Sequence, residues 1–291
     1  MNSGEHILLR NLKGWSKSDI SVVISNEPKL TGNPDNVGEV KSGIAYQLRA
    51  SYEMTREKRK TDFNGDKISV KKIEVSGSKL KIFARKTDYF TLWGLPYASI
   101  GLLEKSNEDF IANDKSDIPC GLYSACMFVT SDGKVVMGVS SSSHGFGSGR
   151  LSFGYEEQAE IEDSTPVETA VRGLREEYGV VVSGTCVKVF GMCKSLSIAY
   201  MSAVCAFKVD LIAEEIVSLR ERAEDRDEKS CLLAVPIEDV CELCKDELTS
   251  KMVKKYVVDG KINKEVPLVH HIANASRWEL TKEYLRGVVE S

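Results

Sequence analysis

Two adjacent carboxylates, Glu176 and Glu177, stand in Arg172-Gly-Leu-Arg-Glu-Glu-Tyr-Gly-Val180. The run reads as the last turns of a helix stopped by Gly179. Acids there oppose the helix macrodipole, which favours cations at a C-terminus. A compensating positive charge is therefore expected, and a divalent metal is one candidate. Carboxylates clustered on a rigid helix can hold Mg²⁺ (or Mn²⁺) and so neutralise phosphate charge and activate water. Arg172 precedes Glu176 by four residues, the spacing of an intrahelical ion pair that can orient a metal ligand. The same pair also occurs on solvated helix faces, where it does little. Gly173 is out of place inside a helix. It costs about 1 kcal/mol relative to alanine, which suggests close backbone approach.

Other residue types give weaker signals. Of the eight cysteines, Cys241 and Cys244 form a single C-x-x-C in a helical stretch, half of what a zinc site needs. Helix packing is the simpler account, with reduced thiols in the cytoplasm throughout. Arg56-Glu-Lys-Arg-Lys60 reads as a solvated basic loop. Ser140–Gly149 reads as a flexible connector, because no Lys-Ser/Thr follows it as in a phosphate-binding loop. Arg150, just beyond, is a candidate for a substrate phosphate. His270 and His271 are adjacent and would not face one another on a helix.

The elements that must position these residues follow from pattern. Thr165-Pro-Val-Glu168 places Thr at the N-cap, Pro at N1 and Glu at N3. Val167, Val171, Leu174 and Tyr178 then form one apolar stripe. A hairpin is expected over Ser124–Ser140 with Asp132-Gly133 at its turn. Thr185–Cys193, Ile198–Leu211 and Cys231–Ile237 read as strands, Ala213–Asp225 as a helix. Further helices are expected from about Ile237 to Tyr256 and Val266 to Val289. Residues 1–115 read as a β-rich extension, with strands at Ile20–Ser25, Ala45–Met54, Lys67–Val75 and Lys79–Thr87. Val75–Ser78 is its hairpin turn, Thr31–Gly43 a loop, and Glu104–Pro119 a polar connection into residues 116–291.

Bulk properties are those of a globular protein: 42% hydrophobic and 28% charged residues, with a net charge of −4. That charge gives no general attraction to nucleic acid or to anionic membrane. No run approaches the ~18 apolar residues needed to cross a bilayer. The first fifteen residues have no long apolar core after a basic start, so a signal peptide is not expected.

The run 172–180 resembles the core of the Nudix box, Arg-Glu-hydrophobic-x-Glu-Glu-x-Gly-hydrophobic, with Gly173 where that box has glutamate. The order hairpin, glycine-containing turn, helix and strands is similar to the family over roughly residues 121–240. Counting back from Arg172 puts the box's leading glycine and its glutamate on Gln158 and Ser164. Taking Gly154 as that glycine gives a longer acidic loop, Glu156–Asp163. Glu156, Glu157 and Glu160 then become candidates for an additional carboxylate, with Glu157 favoured. Downstream, Glu215, Asp225 and Glu228 are options for a further acid. Lys86–Pro96 looks like the N-terminal extension of a diverged branch, with aromatics for a core or a pocket wall.

The resemblance implies an α/β/α sandwich with a mixed sheet. It also implies a magnesium-dependent pyrophosphatase-type hydrolase acting on a nucleoside diphosphate derivative through metal-activated water. Glu176, Glu177 and Glu157 would hold the metal, Arg172 would pair with and orient Glu176, and the partner would be a nucleotide-type small molecule. The alternative is a catalytically inactive module that binds a nucleotide or a protein. Oligomeric state stays open, a homodimer included.

Overall fold

The computed structural model describes residues 5–33, 42–59, 64–98, 100–141, 149–243, 253–260, 269–270 and 274–290. The elements run β1 (Glu5–Trp15), β2 (Ile20–Ile24), α1 (Ser42–Lys58), β3 (Asp66–Ser76), β4 (Lys79–Asp88), α2 (Tyr89–Ala98) and α3 (Ile100–Asn113). Then come β5 (Gly121–Val129), β6 (Lys134–Ser140), β7 (Arg150–Phe153), β8 (Tyr155–Gln158) and α4 (Pro166–Tyr178). The chain ends with β9 (Lys188–Ser195), β10 (Tyr200–Lys208), α5 (Ala213–Arg220), β11 (Lys229–Pro236), α6 (Val240–Leu243), β12 (Val257–Gly260), β13 (Val269–His270) and α7 (Asn274–Glu290).

The strands share one mixed sheet with the path β1-β9-β10-β5-β3-β4-β2. At its centre β5 runs parallel to β10, from Gly121 opposite Tyr200 to Val129 opposite Lys208. Both are apolar along their length because both faces are covered. Cys126 and Phe128 of β5, with Cys205 and Phe207 of β10, join the core that contains Val167, Leu174 and Tyr178 of α4. Met127 and Val129, with Val204 and Ala206, pack instead with Trp278, Leu280 and Leu285 of α7. Strand alternation thus feeds two cores, and the expected α/β/α sandwich results. β1 extends the sheet by pairing with β9, and β3 joins β5 at Ser69 and Gly121.

Several expectations change. Ala45–Met54, read as a strand, lies within helix α1. Leu48, Ser51, Tyr52 and Thr55 are its buried residues, which is helical spacing. Glu104–Pro119, read as a connection, is largely helix α3, which buries Leu102, Leu103, Ser106, Asn107 and Phe110. The last helix starts at Asn274, and the region after Ile237 opens with a 3-10 turn and the short α6. Most of Thr31–Gly43 and Ser140–Gly149 lies outside the described residues, as do Lys60, Cys244 and His271. The hairpin turns at Gly77 and Gly133 and the strands β2, β3, β4, β9, β10 and β11 fall where the pattern places them. Among the described residues no helix is long and apolar enough to cross a membrane.

Candidate functional site

Helix α4 is fixed by its ends. Thr165 is extended at φ −152°, and its hydroxyl accepts the Glu168 N–H at 3.3 Å. The Glu168 carboxylate turns to the Ser164 N–H at 2.6 Å and to Lys17 at 2.6 Å, one residue short of the reciprocal capping box. Gly179 closes the helix at φ 67°, donating to the Arg175 carbonyl at 2.9 Å. The helix rests on β8, where the Tyr155 hydroxyl donates to the Ala170 carbonyl. Tyr178 likewise donates to the Gly154 carbonyl at 2.9 Å.

Gly173 faces this contact. A Cβ there would lie 2.7 Å from Glu157 Cβ, 2.9 Å from Tyr155 Cε2 and 3.0 Å from Glu157 Cγ. The side chain of Glu157 therefore occupies the space where a residue-173 side chain would begin. Gly154 matters for a related reason: a Cβ on it would lie 2.3 Å from the Cys126 carbonyl oxygen. Without one, β7 and β8 turn closely over β5.

Arg172 organises the acids. Its Nη1 lies 3.0 Å from Glu157 Oε1 and 3.0 Å from Glu176 Oε2. Its Nη2 reaches Asp163 Oδ2 at 2.9 Å and donates to the Gln158 carbonyl at 2.7 Å. Burial alone would lower the affinity of Arg172 for its proton, but Asp163, Glu157 and Glu176 more than reverse this. Burial pushes the Glu157 carboxyl up to about 7; Arg172 opposes the shift, while Glu176 and Glu228 add to it. Arg175 also pairs with Glu176, at 3.1 Å.

Glu177 points elsewhere, as residues about 100° apart on a helix must. It is 2% exposed, and among the described residues neither carboxylate oxygen has a hydrogen-bond partner. Its neighbour is the ammonium of Lys229, the first residue of β11, at 3.5 Å. Burial raises the Glu177 carboxyl well above its usual range; Lys229 opposes this, while Glu228 and Glu157 add to it. Burial of Lys229 favours its neutral form, but Glu177, Glu228 and Glu156 outweigh that and raise its proton affinity. Gly138 on β6 makes the approach feasible, since a Cβ there would meet the lysine stem at 2.9 Å.

The neighbouring acid of β8 turns to the other sheet face. Glu156 pairs at 2.7 Å with Arg277 of α7, which also binds Glu5 of β1 at 2.9 Å. Arg277 is 1% exposed.

In front of Glu157 opens a cleft of 720 Å³, lined on one side by Glu157, Gln158, Glu160, Glu162, Asp225 and Glu228. Gly65, Asp66, Lys67 and Tyr89, all from the N-terminal region, line the other side. Among the described residues, the only cationic side chain in this lining, Lys67, pairs with Glu160 at 3.2 Å. The cleft is therefore strongly acidic.

The structure brings Arg172, Glu157 and Glu176 together and places Glu177 behind them. Of the downstream acids, Asp225 and Glu228 reach the cleft, and the Asp225 N–H bonds the Glu176 carbonyl at 2.9 Å. Glu215 instead accepts the Ile212 N–H at the start of α5. Arg150 begins β7 and is not among the cleft residues. Tyr89 is the aromatic of Lys86–Pro96 that lines the cleft, while Phe90, Leu92 and Leu95 are buried. Sequence reasoning missed Asp163, one residue before the position reached by counting back from Arg172. It also missed Lys229 and Arg277, whose partners are distant in the chain.

The fit to a metal ion was expected at Glu176, Glu177 and Glu157. Among the described residues, no group of three or more His, Cys, Asp and Glu side chains is placed to hold one. Arg172 already sits between Glu157 and Glu176, and Lys229 sits against Glu177. The carboxylates as arranged do not form a metal centre, and no chemical step is routed through one.

No family model matches this chain, and no curated protein matches it. Among solved structures, it is similar to a MutT/Nudix family protein from Listeria innocua, at 14% identity and a TM-score of 0.31. That match covers 58% of this chain and 95% of the other. A MutT/Nudix family protein from Enterococcus faecalis gives 12% identity and a TM-score of 0.31, over 48% and 57% of the two chains. A bifunctional NMN adenylyltransferase/ADP ribose pyrophosphatase from Francisella tularensis gives 16% and 0.31, over 52% and 43%. Likenesses this distant add no weight to the geometry.

Proposed function

We propose that this chain is a Nudix-like binding module, in which internal ion pairs stand where a pyrophosphohydrolase would hold metal ions. The observation that carries this is the occupation of the acids by the chain's own cations: Arg172 between Glu157 and Glu176, Lys229 against Glu177. The cleft has the volume of a small-ligand site. Its carboxylates repel a bare pyrophosphate, so a nucleotide-type ligand would have to bring its own counter-ions.

A second reading, hydrolysis of a nucleoside diphosphate derivative, is favoured by one observation. Glu157 has a proton affinity suited to accepting a proton from water near neutral pH, and it opens on the cleft. In that reading Arg172 positions both Glu157 and Glu176.

One experiment separates the two. The protein is incubated with a panel of nucleoside diphosphate derivatives and Mg²⁺ or Mn²⁺, beside Glu176→Gln and Glu157→Gln. The binding reading expects ligand-dependent thermal shifts without products. Products from the parent that the variants fail to make would establish hydrolysis instead.

A further inference from the structure

The buried pair of Glu177 and Lys229 has consequences beyond ligand binding. A carboxylate removed from water needs hydrogen-bond donors or a counter-charge. Among the described residues Glu177 has no hydrogen-bond donor on either oxygen, and Glu157 and Glu228 add negative charge around it. The positive charge in contact with it is the ammonium of Lys229, itself 8% exposed. Two independent elements cooperate in this placement. β11 supplies the lysine at its first residue, and β6 supplies Gly138, whose missing side chain leaves room for the stem.

We propose that Lys229 is the resident cation of this carboxylate site, doing with a covalently tethered ammonium what a divalent ion would otherwise do. The inference rests on the non-hydrolytic reading above. It adds that the chain carries a latent cation site, closed by one side chain. Removing the ammonium leaves the Glu177 carboxylate beside the vacated space, with the negative charge of Glu157 and Glu228 uncompensated there. A divalent ion can then be held by oxygen ligands, the donor type that Mg²⁺ and Mn²⁺ prefer. A neutral side chain at 229 also relieves the repulsion that keeps such an ion out.

The test uses Mn²⁺ alone, followed by electron paramagnetic resonance and calorimetry on the full chain. Lys229→Met and Lys229→Gln should bind Mn²⁺ at least tenfold more tightly than the parent. The gain should vanish in Lys229→Met/Glu177→Gln. Mn²⁺ should also raise the melting temperature of the lysine variants and not that of the parent. Two folded lysine variants with no gain in affinity would overturn the proposal. If both fail to fold without metal, refolding with Mn²⁺ supports it, and the parent itself supplies a further check. Paramagnetic broadening of the Glu177 amide by Mn²⁺ in the parent would overturn the proposal, because the site would then be open with Lys229 in place. Hydrolysis of the nucleotide panel would sink the binding reading. Mn²⁺ at Glu177 in a parent that hydrolyses nothing would sink only the assignment of Lys229.

Discussion

Gly173→Ala is the most direct test of how α4 meets β8. In an open helix this change stabilises by about 1 kcal/mol through helix propensity. Here the added Cβ would sit 2.7 Å from Glu157 Cβ and 2.9 Å from Tyr155 Cε2. Carbon atoms settle at ~3.5–4.0 Å, so the overlap approaches 1 Å against an atom anchored to backbone. Overpacking of this kind costs about 1–3 kcal/mol. Subtracting the propensity gain leaves a net loss of about 1 kcal/mol, roughly 2 kcal/mol away from the open-helix result. Urea unfolding followed by circular dichroism and tryptophan fluorescence measures this, provided the m-value is unchanged. Pairing the change with Glu157→Gly removes the closest atoms. The double-mutant cycle should then show coupling of about 1 kcal/mol or more. A Gly173→Ala variant that is more stable than the parent by about 1 kcal/mol would refute the claim that Glu157 excludes a side chain at 173.

Three further outcomes follow from the same geometry. Arg172→Met strands Glu157, Glu176 and Asp163 and should cost about 3–5 kcal/mol in urea unfolding; Arg172→Lys should restore only part, because one ammonium cannot reproduce the guanidinium fork. The Glu157 carboxyl rises to about 7 in the folded chain, chiefly through burial. Its contribution to stability is full below the unfolded value near 4.5 and is lost as pH rises through about 7, a difference of about 3 kcal/mol. Glu157→Gln should flatten that part of the stability–pH profile, and parallel profiles for parent and variant would contradict the assignment. Thr165→Ala removes the side-chain cap of α4 and should cost about 1 kcal/mol by urea unfolding, with a change under ~0.3 kcal/mol counting against the cap.

The legible parts of this chain are those specified locally. Thr165, Pro166, the apolar stripe and Gly179 define α4 from within fifteen residues, and the structure follows them. The long apolar runs of β5 and β10 are legible for the same reason, since both faces are buried. Helix α1 is a misreading of period. Tyr46, Leu48 and Tyr52 suggest alternation, yet Tyr46 is exposed while Leu48, Ser51, Tyr52 and Thr55 go inward. At the site, the Arg172–Glu176 pair was readable because its partners are four residues apart. The groups that decide what the acids can do were not. Lys229 reaches Glu177 from another strand, and Glu157 meets Gly173 across the strand–helix interface. Pairings of that kind depend on topology, which residue spacing does not encode. The glycine at 173 did carry a readable hint, a helix weakened for the sake of close approach.

The contact of Arg277 with Glu5 and Glu156 bears on how the protein is made. Glu5 and Arg277 are 272 residues apart in the chain, and Glu156 and Arg277 are 121 apart. At synthesis rates of about 5–20 residues per second, Arg277 follows Glu5 after roughly 14–54 s. Until then the N-terminal strand and β8 hold neighbouring acids without their shared guanidinium. Those acids disfavour burial while they remain ionised. Glu5 and Glu156 therefore gain their shared counter-charge only near the end of translation, and a chain interrupted before α7 would leave both acids without that guanidinium.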